Sequence, residues 1–558
     1  MTSVQKTIFE AAVARKFAER GVSFPLPGFA FSYDFSPALR EDAWRLEASE
    51  KAVTIESGGV AGLYAAAGAW MRRSRFDGEG GFSPFVGALA LSPENPIHGI
   101  YFASHFHNYY EDAPKEELER YLEDLAFQGS NALMAWYDMH HYESIDQPES
   151  QRMIAHLRHI YGYAALVGMK TVFGTLSNEA FASSPEEMRA EWQVQNGYTG
   201  RPTGHYHVEI CPNKEGGMEE ILRERREVMK AFEGTPIDYI SIWPYDQGGC
   251  TCEKCAPWGA NGYLDTFKAL SALYAEILPE AKLLCSTWYF DRFVPGEWQA
   301  FADRVNKGGF ENIAYLFGYF ANEEPIPDFI KKGDMPGGKK MIAFPEISMH
   351  GAHPWGGFGA NPMPERMEQN FRRNGSLYSG ALPYSEGIYE DINKALMLAF
   401  YSGLSDSADE VLRGYASFEY CLAPDAAEDF VTLCHLLEST LHRKTAYDAG
   451  GFAIDKAPVD LKYTDRRYII LDPEKIEEAA ALASSIERRM PLSMRKTLRW
   501  RIVKLRTEID LELLKNDMYL SEKQKDYAAE LVSLYHGAEA WSSVTPLTEE
   551  GLKRVVVQ

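Results

Sequence analysis

Acidic residues recur in this chain just after short apolar runs. Asp246 closes the run DYISIWPYD, Glu346 follows KKMIAFP, and Glu386 follows GSLYSGALPYS. A pair of carboxyl groups, one protonated and one ionised, is the equipment for cleaving a glycosidic bond: the acid releases the leaving oxygen and its partner acts as base or nucleophile. A carboxyl held directly after apolar residues sits in a partly dry environment, which raises the pKa of an acid. Asp246, Glu346 and Glu386 are therefore the candidate catalytic residues, with Asp138, Glu179, Glu390 and Asp391 as second choices. Salt bridges at the rim of the fold are the alternative use for each. The separation of the pair, which decides between inversion and retention, is a tertiary quantity.

The same positions carry aromatic and amide groups. Trp136, Trp243, Tyr245, Trp288 and Trp355 offer flat faces that stack on the C–H side of a pyranose, while His107, Asn108, Asp138 and His141 can satisfy its hydroxyls. An oligosaccharide or glycoconjugate is the substrate class this mixture fits. The histidines in HFH and HH lie on two separate loops, which is not a specific metal spacing.

A different chemistry is written in GGCTCEKC. Cys250, Cys252 and Cys255 follow Asp246 closely, and Cys211 in HVEICPNKEGG can approach from the preceding loop. Four thiolates around zinc form a closed tetrahedral structural site with no open position for catalysis. Free buried thiols are the alternative, and no cofactor is expected for the chemistry itself. An odd total of seven cysteines and this short cluster fit reduced thiols or a metal better than a disulfide framework.

These residues need a scaffold that brings strand ends together. Eight apolar runs, at 98–104, 131–138, 170–177, 238–246, 281–289, 311–319, 339–348 and 375–387, alternate with amphipathic helices such as PKEELERYLEDLAFQG, SQRMIAHLRHIYGYAALVG and GYLDTFKALSALYAEIL. Eight β/α units close a (β/α)₈ TIM barrel, whose active site forms at the C-terminal ends of the strands. The expected fold class is thus α/β. A small α/β domain over 1–95 precedes the barrel over 96–400, and a helical domain over 401–558 follows it. In the first of these, WRLEA and AVTIE predict strands. Gly58, Gly59 and Gly62 then turn the chain into an apolar helix, without the spacing of a phosphate loop or dinucleotide fingerprint.

Bulk properties narrow the partners. At 558 residues the chain exceeds one ordinary core, and a formal net charge of -23 disfavours nucleic acid and anionic membrane surfaces. Charges at Lys6, Glu10, Arg15 and Lys16 interrupt the N-terminal stretch, and no run is long and apolar enough to span a bilayer. The expectation is a cytoplasmic protein without membrane or nucleic-acid partners, and a homodimer is compatible with the acidic surface.

Three segments carry a resemblance. VTIESGGVAGLYAAAGAW followed by a barrel opening in HGIYF resembles the superfamily of glycoside hydrolase families 20, 84, 67 and 123 and their uncharacterised relatives. An aspartate after the fourth strand followed by CxCxxC, with an upstream CP, is similar to a further group of glycosidase-like relatives, whose C-terminal domains RWRIVKLRTEIDLEL also resembles. The resemblance implies exo-acting release of a terminal sugar, first an N-acetylhexosamine (a β-N-acetylgalactosaminide among them) whose acetamido group can serve as nucleophile. In families 20 and 123 the fourth strand supplies an Asp-Glu pair; here the matching positions are Asp246 and Gln247. Glutamine has no titrating proton, which shifts weight to Glu346 or Glu386 as the partner of Asp246. A glucuronidase similar to family 67, with Arg292 or a rim histidine meeting the uronate, and a non-catalytic sugar-binding barrel are the alternatives.

Overall fold

The computed structural model describes residues 1–104, 108–199, 208–245, 249–320, 325–347, 360–440, 472–516 and 521–534. Its centre is a closed barrel of eight parallel strands. In chain order they are Ile97–Phe102 (interrupted at Gly99), Ala132–Trp136, Lys170–Leu176, Tyr239–Trp243, Lys282–Ser286, Ile313–Gly318, Lys340–Ala343, and an eighth in two pieces, Tyr378–Ala381 and Tyr384–Ser385. Each strand pairs with the next, and the eighth returns to the first through Gly380 to Ile97 and Tyr384 to Tyr101. All eight apolar runs read from the sequence are strands, although most are shorter than expected. Pro244, Pro345 and Pro383 follow the fourth strand, the seventh strand and the first piece of the eighth, where a residue without an N–H cannot extend the ladder.

Closure depends on a glycine. Gly380 has φ +134° and lies so close to the first strand that a Cβ there would meet the Ile97 carbonyl at 1.9 Å. Along each strand the side chains alternate between two cores. Tyr101, Met134, Trp136, Val172, Leu176, Tyr239, Trp243, Leu284, Phe317 and Ile342 fill the lumen. Ile100, Phe102, Leu133, Phe173, Ile240, Ile242, Cys285 and Leu316 face the surrounding helices. Those helices include Lys115–Phe127, Pro148–Leu166, Gly217–Ala231, Gly262–Ile277, Glu297–Asn306, Pro364–Asn374 and Asp391–Ser402.

Ahead of the barrel lies a four-stranded sheet in the order Ala30–Phe35, Ala52–Ser57, Trp44–Ala48, Gly87–Leu91, covered by the helix Val60–Arg73. The glycines of the turn before this helix serve packing: a Cβ on Gly58 would meet Arg40 O at 1.8 Å, and one on Gly62 would meet Ala43 O at 2.8 Å. Asp42 fastens this unit beneath the barrel, accepting hydrogen bonds from Asn131 Nδ2 and meeting His98 Nε2 at 3.3 Å. Burial alone would raise the Asp42 pKa, but His98 and Arg40 hold it below the usual range.

After Ser385 the described elements are helical, including Ala408–Glu419, Pro424–Ser439, Pro473–Arg489, Leu498–Lys515 and Glu522–Leu534. Arg499, from the tail segment singled out in the sequence, ties three parts together. It bridges Asp124 at 2.9 Å on the first barrel helix and Asp391 at 2.7 Å on the last, and approaches Glu419 at 3.9 Å. Arg15 and Lys16 of the N-terminal helix Ser3–Glu19 meet the same Asp124. Among the described residues no helix is long and apolar enough to cross a membrane.

Candidate active site

The floor of the site is aromatic. Trp243, at the end of the fourth strand, lies edge-on to Phe344 at 4.7 Å and tilted against Trp136 at 5.5 Å, with Trp288 at 6.1 Å. The Trp136 ring is admitted by Gly174 on the neighbouring strand, where a Cβ would stand 3.2 Å from Trp136 Cε3. Trp243 Nε1 is buried without a partner among the described residues, leaving a donor at the top of the lumen. Beyond Trp288, which stacks on Tyr289 at 4.5 Å, the backbone is strained: Tyr289 and Asp291 have φ of 62° and 64°.

Two of the expected carboxylates converge beside this floor. Glu346, half-buried after the seventh strand, forms a parallel bridge to Tyr384 on the eighth. The Tyr384 hydroxyl donates to Glu386 Oε1 at 3.0 Å, and both Glu386 and Glu346 raise the tyrosine's pKa, after the larger effect of burial. Glu386 is 6% exposed; burial first, and the charge of Glu390 second, push its pKa up to about 8. Glu390 Oε1 accepts from the Glu386 backbone N–H at 3.2 Å, and burial raises its own pKa to about 7. Beneath them Lys394, lowered to about 8 by burial, donates to Gly387 O and Tyr121.

A second cluster occupies the ends of strands two and three. His140 Nδ1 lies 2.8 Å from Glu179 Oε1 and 3.9 Å from Asp138 Oδ1. Burial would lower the His140 pKa, but the Glu179 hydrogen bond and the Asp138 charge outweigh it and raise it to about 9. The imidazole is therefore an imidazolium at neutral pH, paired with a fully buried glutamate. Trp136, Asp138 and His141 line a cleft of ≈ 770 Å³ together with Ser104, Glu111 and Tyr142. Ala103 N donates to Ser385 O, so Ser104 and Glu386 leave adjacent strands side by side.

The structure redistributes the other expected residues. Asp246, Gln247, His107 and Trp355 lie outside the described residues. Asn108 is not free for a ligand: it caps the short helix Tyr109–Asp112, accepting from Tyr110 N while its Nδ2 donates to Ala103 O. Tyr245 is also turned away. The fourth strand ends at Trp243, and beyond Pro244 the Tyr245 ring packs on Phe293 and Trp192, fully buried, with its hydroxyl 2.7 Å from Glu297. Glu297 itself had no signal in the sequence, since it opens a surface helix. It is buried, bonded by Tyr245 and by Gly259 N, and burial pushes its pKa up to about 8. Cys211, Cys250, Cys252 and Cys255 are brought together, every sulfur within 4.8 Å of the others.

Neither a family model nor a curated protein sequence matches the chain. Solved structures do. A family 89 glycoside hydrolase from Clostridium perfringens, in complex with PUGNAc, superposes with a TM-score of 0.60 at 12% identity, over 95% of this chain and 65% of that one. The fold is that of known glycoside hydrolases. The GH20 β-N-acetylhexosaminidase of Streptomyces coelicolor A3(2) matches with a TM-score of 0.52 at 13% identity, over 74% of this chain and 89% of that one. A GH115 4-O-methyl-α-glucuronidase with specificity for decorated arabinogalactans matches with a TM-score of 0.53 at 12% identity, over 90% and 68%. This chain spans about 65% of the length of the family 89 structure, and at such identities the likeness is one of architecture.

Proposed function

We propose that this chain is a glycoside hydrolase releasing a terminal sugar from an oligosaccharide or glycoconjugate. The observation that carries the reading is Glu386. It is a buried carboxyl at the C-terminal end of a barrel strand, its pKa pushed up to about 8, bonded by Tyr384, which Glu346 bridges from the neighbouring strand, with an aromatic floor beside it. In this reading Glu386 donates its proton to the glycosidic oxygen, and Glu346 serves as base or nucleophile at the anomeric carbon. Asp246 orients the substrate or shares the second role. Trp136 stacks on the sugar, with Asp138 and His141 at its hydroxyls and Trp243 and Trp288 beneath. An N-acetylhexosaminide, the β anomer first, is the substrate to try. Support comes from the barrel shared with a GH20 β-N-acetylhexosaminidase and with a family 89 enzyme solved with GlcNAc-α-1,4-galactose as its substrate.

The test is hydrolysis of p-nitrophenyl glycosides of both anomers by the purified chain, beside Asp246→Asn, Glu346→Gln and Glu386→Gln. One glycoside should be cleaved, and Glu386→Gln with at least one other variant should lose on the order of a hundredfold or more in kcat. A folded wild-type protein that binds sugars but turns over neither these nor natural disaccharides would be a binding protein, and the proposal would fall. A uronide is the second reading. Arg292 lies with its guanidinium 4.5 Å over the Tyr289 ring, next to Trp288, where it can meet a carboxylate. Release of glucuronic acid but not hexosamine would select it.

A further inference from the structure

Four cysteines from two separate rim segments meet at one point, and the catalytic reading gives them no role. Cys211 stands at the start of the approach to the helix Gly217–Ala231, while Cys250, Cys252 and Cys255 lie between the fourth strand and the helix Gly262–Ile277. The sulfur of Cys211 is 3.7 Å from that of Cys255 and 3.9 Å from that of Cys252. A disulfide needs about 2.05 Å, so these thiols are unlinked. Four sulfurs at about 2.3 Å from a central zinc, the usual Zn–S bond, stand about 3.8 Å apart along the edges of a regular tetrahedron. The two Cys211 separations match such an edge, and all four sulfurs lie within 4.8 Å of one another.

The surroundings fit as well. Cys211, Cys250 and Cys255 are buried and Cys252 is half-buried, so an uncompensated thiolate group here would be costly, and a divalent cation offsets it. Asn213 Nδ2 donates to Cys255 Sγ at 3.2 Å, the kind of outer hydrogen bond that orients a metal-bound thiolate. Cys255 N and Ala256 N both donate to Cys252 O, folding the CxxC segment into a tight knuckle. Gly217 lets the Cys211 carbonyl approach, since a Cβ there would stand 2.1 Å from it.

We propose that Cys211, Cys250, Cys252 and Cys255 bind one zinc ion in a closed tetrathiolate site that staples the loop after the third barrel strand to the loop after the fourth. All four positions are taken by protein, so the ion is structural. What it holds together is visible in the neighbouring bonds. Asn178 after the third strand donates to Ile210 O and accepts from Gly249 N, Glu179 bridges to Glu209, and Thr251 Oγ1 donates to Glu191 O. The staple thus fixes the base of the segment that carries Glu179 and the segment that follows Asp246; this consequence for catalysis rests on the glycosidase reading.

The experiment is elemental analysis of the purified full chain, with cobalt substitution as a second readout. One zinc per chain is expected. Cobalt in its place should give the intense d–d absorption of a tetrahedral site and a thiolate charge-transfer band. Cys211→Ser and Cys252→Ser should each lower the zinc content well below one, and a thiol-blocking mercurial should release the ion as four sulfurs react. A folded wild-type chain with no metal, with iron in place of zinc, or with disulfides among these cysteines overturns the proposal, whether or not the serine variants fold. Because none of these readouts uses turnover, they stand apart from the test of the glycosidase activity.

Discussion

The proposed chemistry turns on a carboxyl group whose pKa is pushed up to about 8. Burial does most of this for Glu386, and the neighbouring Glu390 charge adds to it. A general acid works only while protonated, so turnover should fall as pH rises through about 8. Glu390→Gln removes a negative charge that raises the Glu386 pKa. The basic limb of the kcat profile should therefore move to lower pH in that variant, and an unmoved limb would mean that another group is the acid. At this scale Glu346 and Glu386 were legible as polar residues terminating apolar runs. The Glu386–Glu390 pair was not, because coupling between groups four residues apart depends on a tight turn after the eighth strand. Tyr245 was misleading for a related reason: Pro244 ends the strand, and the alternation of faces ends with it.

At the scale of elements, the barrel was written as eight apolar runs separated by helical periodicity, a pattern that survives because each strand is buried on both sides. Closure was not written that way. It rests on close backbone approaches such as Gly380 against Ile97. Gly380→Ala would place a Cβ on a carbonyl oxygen at a positive φ, and the melting temperature should fall by the equivalent of more than about 1 kcal/mol. Unchanged thermal stability in Gly380→Ala would show that the seam between strands eight and one has slack.

The whole molecule is joined by buried charges. Arg499 faces Asp124, Asp391 and Glu419, contributed by two barrel helices and by Ala408–Glu419. Arg499→Met leaves buried Asp391 without its arginine partner, while Arg15 and Lys16 still reach Asp124 and Arg20 still reaches Glu419; a loss of about 3–5 kcal/mol is expected, read as a lower melting temperature. Stability should also depend on pH through Glu297 and Glu386, whose folded pKa values are raised to about 8, and Glu390, raised to about 7. Between the usual carboxylate range and these values the folded state holds more protons than the unfolded chain, so stability falls as pH rises across that window. A melting temperature that drops from pH 5 to pH 8, and drops less in Glu297→Gln, would bear this out.

By itself the sequence determined the order of strands and helices, the barrel class and the kinds of side chain at the strand ends. Those follow from local periodicity and from where prolines and polar residues stop an apolar run, information carried by neighbours along the chain. Only the tertiary structure decided which of those residues meet. It set Glu346 beside Tyr384, whose hydroxyl bonds Glu386, packed Tyr245 against Glu297, and drew Cys211 across to the CxCxxC segment, because the Glu346–Tyr384, Tyr245–Glu297 and cysteine contacts join residues distant in the chain that come together only when the barrel closes.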